Sequence, residues 1–195
     1  MEEREEVMGV LDNSVAYLSG AIENARDDGV SWREDIVTKI HGLGIDLGFI
    51  DPCDKGDKLL GEIGRERALL ASAKEKGNFS FVTEKMKEVR HWDLRAVDSA
   101  NVMILKLDPK VPTCGTWDEV FEAEDQQIPI LAIIEGGPSA APDWLFAVMD
   151  HRMMFNSIDE CVEFIKKVDE GKIKVGRKWL CLHDNIKRRE LTEIA

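Results

Sequence analysis

Short, almost wholly apolar runs recur along the chain, and the stretches between them carry helical spacing. Residues 14–18, 45–50, 102–107 and 128–134 are runs of the length and composition that suit strands buried on both faces. Met153, Met154 and Phe155 form a shorter run that reads as an edge strand. Helical patterns fill residues 31–41, 59–74, 81–100, 117 onward, 142–149 and 158 onward. Breakers punctuate them: Gly42 and Gly44, Asp51-Pro52, Gly77-Asn78, Asp108-Pro109, Gly136-Gly137-Pro138 and Gly171. The alternation of strand and helix predicts a single α/β domain. Its core would be a mainly parallel sheet of about five strands with helices on both faces, a flavodoxin- or Rossmann-like three-layer sandwich. Crossovers should be right-handed.

The ends differ from this pattern. Residues 1–13 read as an acidic tail, residues 14–170 as the domain, and residues 171–195 as a more basic extension packed on it, with Trp179 and Leu182 as docking points. The first residues lack the apolar core of a signal or transit peptide. No apolar run approaches the roughly 18 residues a membrane span needs.

Two acids stand out against the pattern. Thr116-Trp117-Asp118-Glu119 fits a capping box, with Thr116 as N-cap and Glu119 reaching back to it. The same Glu119 lies in the first helical turn after the loop that leaves the carboxyl end of a strand, where ligands bind in open α/β sheets. Residues 81–100 place Val82, Met86, Val89, Ala96, Val97 and Ala100 near one face, and Asp93 falls on it. An acid there is either at the edge of a slightly rotated stripe or buried for a reason. Ligand contacts are expected from the strand-end segments 17–22, 51–53, 113–119 and 135–138.

Composition narrows the function. The formal charge is −12, from 38 acids and 26 bases, which argues against a nucleic-acid polymer as the main ligand. Four widely spaced cysteines form no C-x-x-C pair, and read as reduced thiols in a cytoplasmic protein. His41, His91, His151 and His183 are scattered without ligand spacing. No G-x-G-x-x-G follows the first strand and no phosphate-loop motif occurs, so dinucleotide and P-loop binding are unsupported.

Three segments together resemble the nucleoside 2-deoxyribosyltransferase family, which includes 2′-deoxynucleoside 5′-monophosphate N-glycosidases. Ala16-Tyr17-Leu18-Ser19-Gly20-Ala21-Ile22 is similar to the family's first strand and Y-L-x-G loop. Residues 93–102 are similar to its D-x-x-x-(I/V)-x-x-(A/S)-D-(V/I) segment, and residues 113–119 to its short loop ending G-x-x-x-E. By position the resemblance makes Glu119 the nucleophile, Tyr17 the tyrosine that orients it, and Asp93 the acid that contacts the leaving base. Together with the strand-end loops, it gives Gly20, Ala21, Ile22, Asp51, Thr113, Gly115 and Asn101 as the expected substrate contacts, Asp51 from its loop position alone. The chain departs from the family at Asn101, where many members carry a second Asp. It departs also at Ala21 and Glu23, where nucleotide-specific members have a hydroxyl and an arginine. An uncompensated Glu23 repels a phosphate and leans toward unphosphorylated nucleosides. Thr113 stands where nucleotide enzymes carry a hydroxyl. The two signals oppose one another.

The residue types suit the chemistry that the resemblance implies. Breaking an N-glycosidic bond builds positive charge at C1′, which a carboxylate can stabilise and then trap. No metal or cofactor is expected. The expected partners are a nucleoside or nucleotide and an acceptor base or water, with no membrane and no nucleic-acid polymer. A homodimer or higher homo-oligomer is expected, with Trp144, Phe146 and Val148 as an apolar contact. A 5′-monophosphate N-glycosidase is one alternative. A non-catalytic nucleotide-binding module is the other, and it makes the set Tyr17, Asp93 and Glu119 coincidental.

Overall fold

The computed structural model describes residues 9–54, 64–173, 175–176 and 178–179. Five strands make one sheet: β1 (Ser14–Gly20), β2 (Leu47–Ile50), β3 (Val102–Leu107), β4 (Ile130–Ile134) and β5 (Met154–Phe155). Every pairing is parallel, and the order is β2-β1-β3-β4-β5. Parallel neighbours need long crossovers. These are α1 (Val30–Gly42), α2 (Gly64–Glu75) with α3 (Phe79–Asp98), α4 (Gly115–Asp125), and the single turn α5 (Leu145–Val148). A last helix, α6 (Ile158–Asp169), follows β5. This is a three-layer α/β domain with a flavodoxin-like strand order.

Strands β1, β3, β4 and β5 are buried on both faces, and their side chains divide by the two-residue period, whereas the edge strand β2 is partly open. Ala16, Leu18, Ile104, Leu131 and Ile133 pack under Trp32, Ile36 and Ile40 of α1 and Cys161, Ile165 and Val168 of α6. Tyr17, Met103, Leu105, Ile130 and Ala132 face the other way, against Ala96 and Val97 of α3 and Val120 and Ala123 of α4. The chain leaves β1 for the edge strand β2 and then returns to β3 on the opposite side of β1. The loops after β1 and β3 therefore diverge, and a crevice opens at their carboxyl ends.

Local details differ from the sequence reading. Residues 10 and 11 are not tail. Val10 and Leu11 are buried in the α1–α6 layer, with Val10 N donating to Asp169 O and Leu11 N to Asp169 Oδ1, each at 2.9 Å. Two apolar side chains suffice here because α6 ends in an acceptor for both amides. Helix α1 is not capped by Ser31. Its N-cap is Gly29 at φ 73°, and Ser31 N donates instead to Asp27 Oδ2 at 3.0 Å. Trp179 is buried in the core, whereas Leu182 lies outside the described residues. Among the described residues no helix is long and apolar enough to cross a membrane.

Candidate active site

Strand β1 sends Tyr17 and Ser19 to the same face, two residues apart. Helix α4 brings Glu119 down onto that face, because Thr116, Glu119, Val120 and Ala123 form its buried stripe. The three side chains meet: Tyr17 Oη donates to Glu119 Oε1 at 2.8 Å, and Ser19 Oγ donates to Glu119 Oε2 at 2.5 Å. The expected capping box is therefore absent. Helix α4 starts earlier than the motif implies, at Gly115, with Cys114 as N-cap and no side-chain cap bond. Glu119 is thus its fifth residue, too far along to reach back, and the Thr116 hydroxyl pairs with that of Thr113.

Asp93 reaches the same place from α3. It is 7% exposed, so the acid on the apolar stripe is buried and not at a rotated edge. Burial pushes the Glu119 carboxyl up to about 7; the Ser19 hydrogen bond opposes this, the Asp93 charge adds to it, and Tyr17 and Arg33 oppose it again. Burial, followed by the charges of Glu119 and Asp93, pushes the Tyr17 hydroxyl far above its ordinary range. Tyr17 therefore stays protonated and remains a donor. Carboxylates held near one another while one is driven toward neutrality are common at reactive sites.

Glu119 and Asp93 open into a cavity of about 660 Å³ between the β1 and β3 loops and α3. Gly20, Ile22, Thr113 and Gly115, all expected as substrate contacts, line it. Trp117 and Phe121, one turn apart on α4, add an aromatic wall, with ring centroids 6.2 Å apart and planes inclined by 28°. Arg90 grips Asp118 through two bonds, at 2.6 and 3.2 Å, along the same wall. Glu23 also lines the cavity but is not uncompensated: Lys74 Nζ is 3.4 Å from its Oε1. Its case against a phosphate is correspondingly weaker.

Three expected contacts are placed elsewhere. Ala21 and Asp51 are not among the lining residues. The Asp51 carboxylate turns to Arg33, 3.3 Å away, and accepts from Cys53 N at 2.8 Å. Asn101 precedes β3 at the amino end of the sheet, opposite the cavity. Its Oδ1 accepts from Val15 N and its N donates to Val15 O, each at 2.8 Å, so it staples β1 to β3. Asn101→Ala should lower stability by about 1–2 kcal/mol, because it strands a partly buried amide, and leave turnover unchanged. Denaturant unfolding alongside steady-state kinetics checks both halves.

Sequence reasoning passed over Ser19 and Arg33. Ser19 was within reach through its two-residue spacing from Tyr17. Arg33 was not, since nothing in its helical position tells where its guanidinium goes. Among the described residues no group of three or more His, Cys, Asp or Glu is placed to hold a metal.

No protein-family model matches the chain, and no curated protein matches it. Among solved structures, a 2-desoxiribosyltransferase from Leishmania mexicana aligns with a TM-score of 0.40 and 17% identity, over 62% of this chain and 64% of that one. The matched part is thus under two thirds of that neighbour's length. A likeness of this degree assigns no residue its role, and the roles argued below rest on the geometry.

Proposed function

We propose that the protein is an enzyme that cleaves the N-glycosidic bond of a nucleoside or its 5′-monophosphate, with the sugar carried transiently on Glu119. The observation that supports this best is one carboxylate whose two oxygens are each held by a hydroxyl, from Tyr17 and Ser19, beside Asp93 at a cavity of nucleoside size. A carboxylate has about four lone-pair positions, so each oxygen keeps one for a further bond.

In the first step a Glu119 oxygen forms a bond to C1′ while the C1′–N bond breaks and its electron pair passes to the base. Asp93, holding the one proton that the two acids share when Glu119 attacks, gives it to the departing base. In the second step Asp93 takes a proton from the N–H of another base or from water, whose freed electron pair attacks C1′, and the Glu119–C1′ bond breaks with its pair returning to Glu119. The sugar changes partner and the enzyme is restored. Trp117 and Phe121 offer a flat apolar surface for a base. A homodimer belongs to the same proposal, supported by Trp144 and Phe146, which are 70% and 48% exposed at the α5 turn.

The test is a panel of nucleosides and 5′-monophosphates, with and without a second base, followed by chromatography. Released base, or a new nucleoside, is the expected result. Binding without release would make the protein a nucleotide-binding module. The pH profile sharpens the assignment. Glu119 attacks as the carboxylate, and its proton is held up to about 7. We expect kcat/KM to rise about tenfold per pH unit on the acid side and level off near neutrality. A profile flat between pH 5 and 8 would remove Glu119 from the nucleophile's role.

A further inference from the structure

Arg33 is among the largest fully buried side chains, 1% exposed. A cation so placed is costly unless every donor is met. Its only ion pair among the described residues is with Asp51, at 3.3 Å. The remaining bonds go to peptide carbonyls: Leu18 O at 3.3 and 3.4 Å, Gly20 O at 3.1 Å and Gly29 O at 2.7 Å. The Trp32 ring lies against the guanidinium, with its centroid 4.7 Å away.

The strand register explains why this fork is needed. β2 ends at Ile50, opposite Tyr17, while β1 continues beside β3 to Gly20. Among the described residues, β1 has no neighbouring strand on its β2 side beyond Tyr17. Leu18 and Gly20, two apart, turn their carbonyls to the same edge, and the Arg33 guanidinium stands there in place of a strand. Ser19 lies between them, and its side chain points through to Glu119. The fork thus fixes the peptide unit that precedes Ser19 and the carbonyl of the residue that follows it, on either side of the residue that makes the 2.5 Å bond to the carboxylate.

We infer that Arg33 is a positioning residue for Glu119, acting through the Leu18 and Gly20 carbonyls on Ser19. For its kinetic consequence this rests on Glu119 being the nucleophile; for its structural consequence it does not. Tyr17 and Ser19 face Glu119 from β1, Asp93 from α3, and Arg33 from α1 across β1. Arg33 and the two hydroxyls favour the carboxylate, and Asp93 opposes it. Replacing Arg33 should therefore let Ser19 drift and raise the Glu119 titration.

The experiment follows the Glu119 carboxyl by carbon NMR in protein labelled at glutamate and free of substrate, with the resonance assigned by its absence in Glu119→Gln. Wild type, Ser19→Ala, Arg33→Gln and the double variant are compared. The expected midpoint moves upward in both single variants. On a cleaved nucleoside, kcat falls about tenfold in each, the loss of one charge-assisted bond, with KM within about twofold. In the Ser19→Ala background, Arg33→Gln changes kcat by no more than the usual margin of about twofold, because the contact it positions is gone. Fully multiplying losses, or an unmoved midpoint in a folded Arg33→Gln protein, would overturn the inference. Ser19→Ala removes one oxygen and keeps the packing, so an unmoved midpoint there overturns it even if Arg33→Gln does not fold. The titration is read on the protein alone, so a wild type that cleaves nothing would sink the proposed function and leave this result standing.

Discussion

The Glu119→Gln protein should fold, bind nucleoside and turn it over about a thousandfold or more slowly than wild type, the result expected when a nucleophile is removed. The amide oxygen still accepts from Tyr17, and the amide nitrogen can donate to Ser19, so the site keeps its shape without an attacking carboxylate. A slow 2′-fluoro nucleoside should leave its sugar on Glu119 of the wild type, and peptide mass mapping locates it. Stability should move the opposite way from activity. The folded carboxyl keeps its proton up to about 7, whereas an unfolded chain loses it near the ordinary value of about 4.3. Between these values the folded state binds more protons, so stability falls as pH rises through that window. Above it, the buried carboxylate is a standing cost on the order of 3–4 kcal/mol. Glu119→Gln should therefore melt higher than wild type at pH 8 and show little gain at pH 4, by thermal unfolding at both values. Near wild-type turnover in this variant would end the nucleophile assignment.

Asp93→Asn should lower kcat about 10²- to 10⁴-fold on an ordinary base, the range for loss of a positioned acid or base. A base that leaves without needing a proton, such as an N7-methylated purine, should recover most of that loss. The substitution also removes a charge that holds the Glu119 proton on, so the acid limb of the rate profile should shift downward. An Asp93→Asn protein that is equally slow on both kinds of base would point to packing and not to proton handling. The measurement is a pair of pH–rate profiles, one for each kind of leaving group.

The fold was open to sequence reading because both-face burial leaves a plain mark. β3 and β4 are nearly unbroken aliphatic runs, and helical spacing fills the gaps between strands. Asp93 could be recognised as an anomaly by its place between Val89 and Val97. The helix starts were less legible. Ser31 and Thr116 both resemble caps, yet Asp27 serves Ser31 and the Thr113 hydroxyl meets Thr116, because a cap motif records local chemistry and tertiary contacts decide among partners. Glu119 could be placed on the inward stripe with Thr116, Val120 and Ala123 only once the helix start was known. Asn101 matched a family position, but its side chain closes the amino end of the sheet. Arg33 stayed hidden for the reason its role is unusual. It stands in for a missing strand, and strand lengths at a sheet edge are tertiary facts.

The bonds from Tyr17 and Ser19 to Glu119 span 102 and 100 residues of chain. They close only after β1 and β3 have paired and α4 has docked, and contacts so distant in sequence are among the slowest to form. In a chain still folding, Glu119 is an ordinary solvated acid with no hydroxyls beside it. The arrangement is therefore a product of the assembled fold, and a nascent or damaged chain carries the atoms of the proposed nucleophile without their setting.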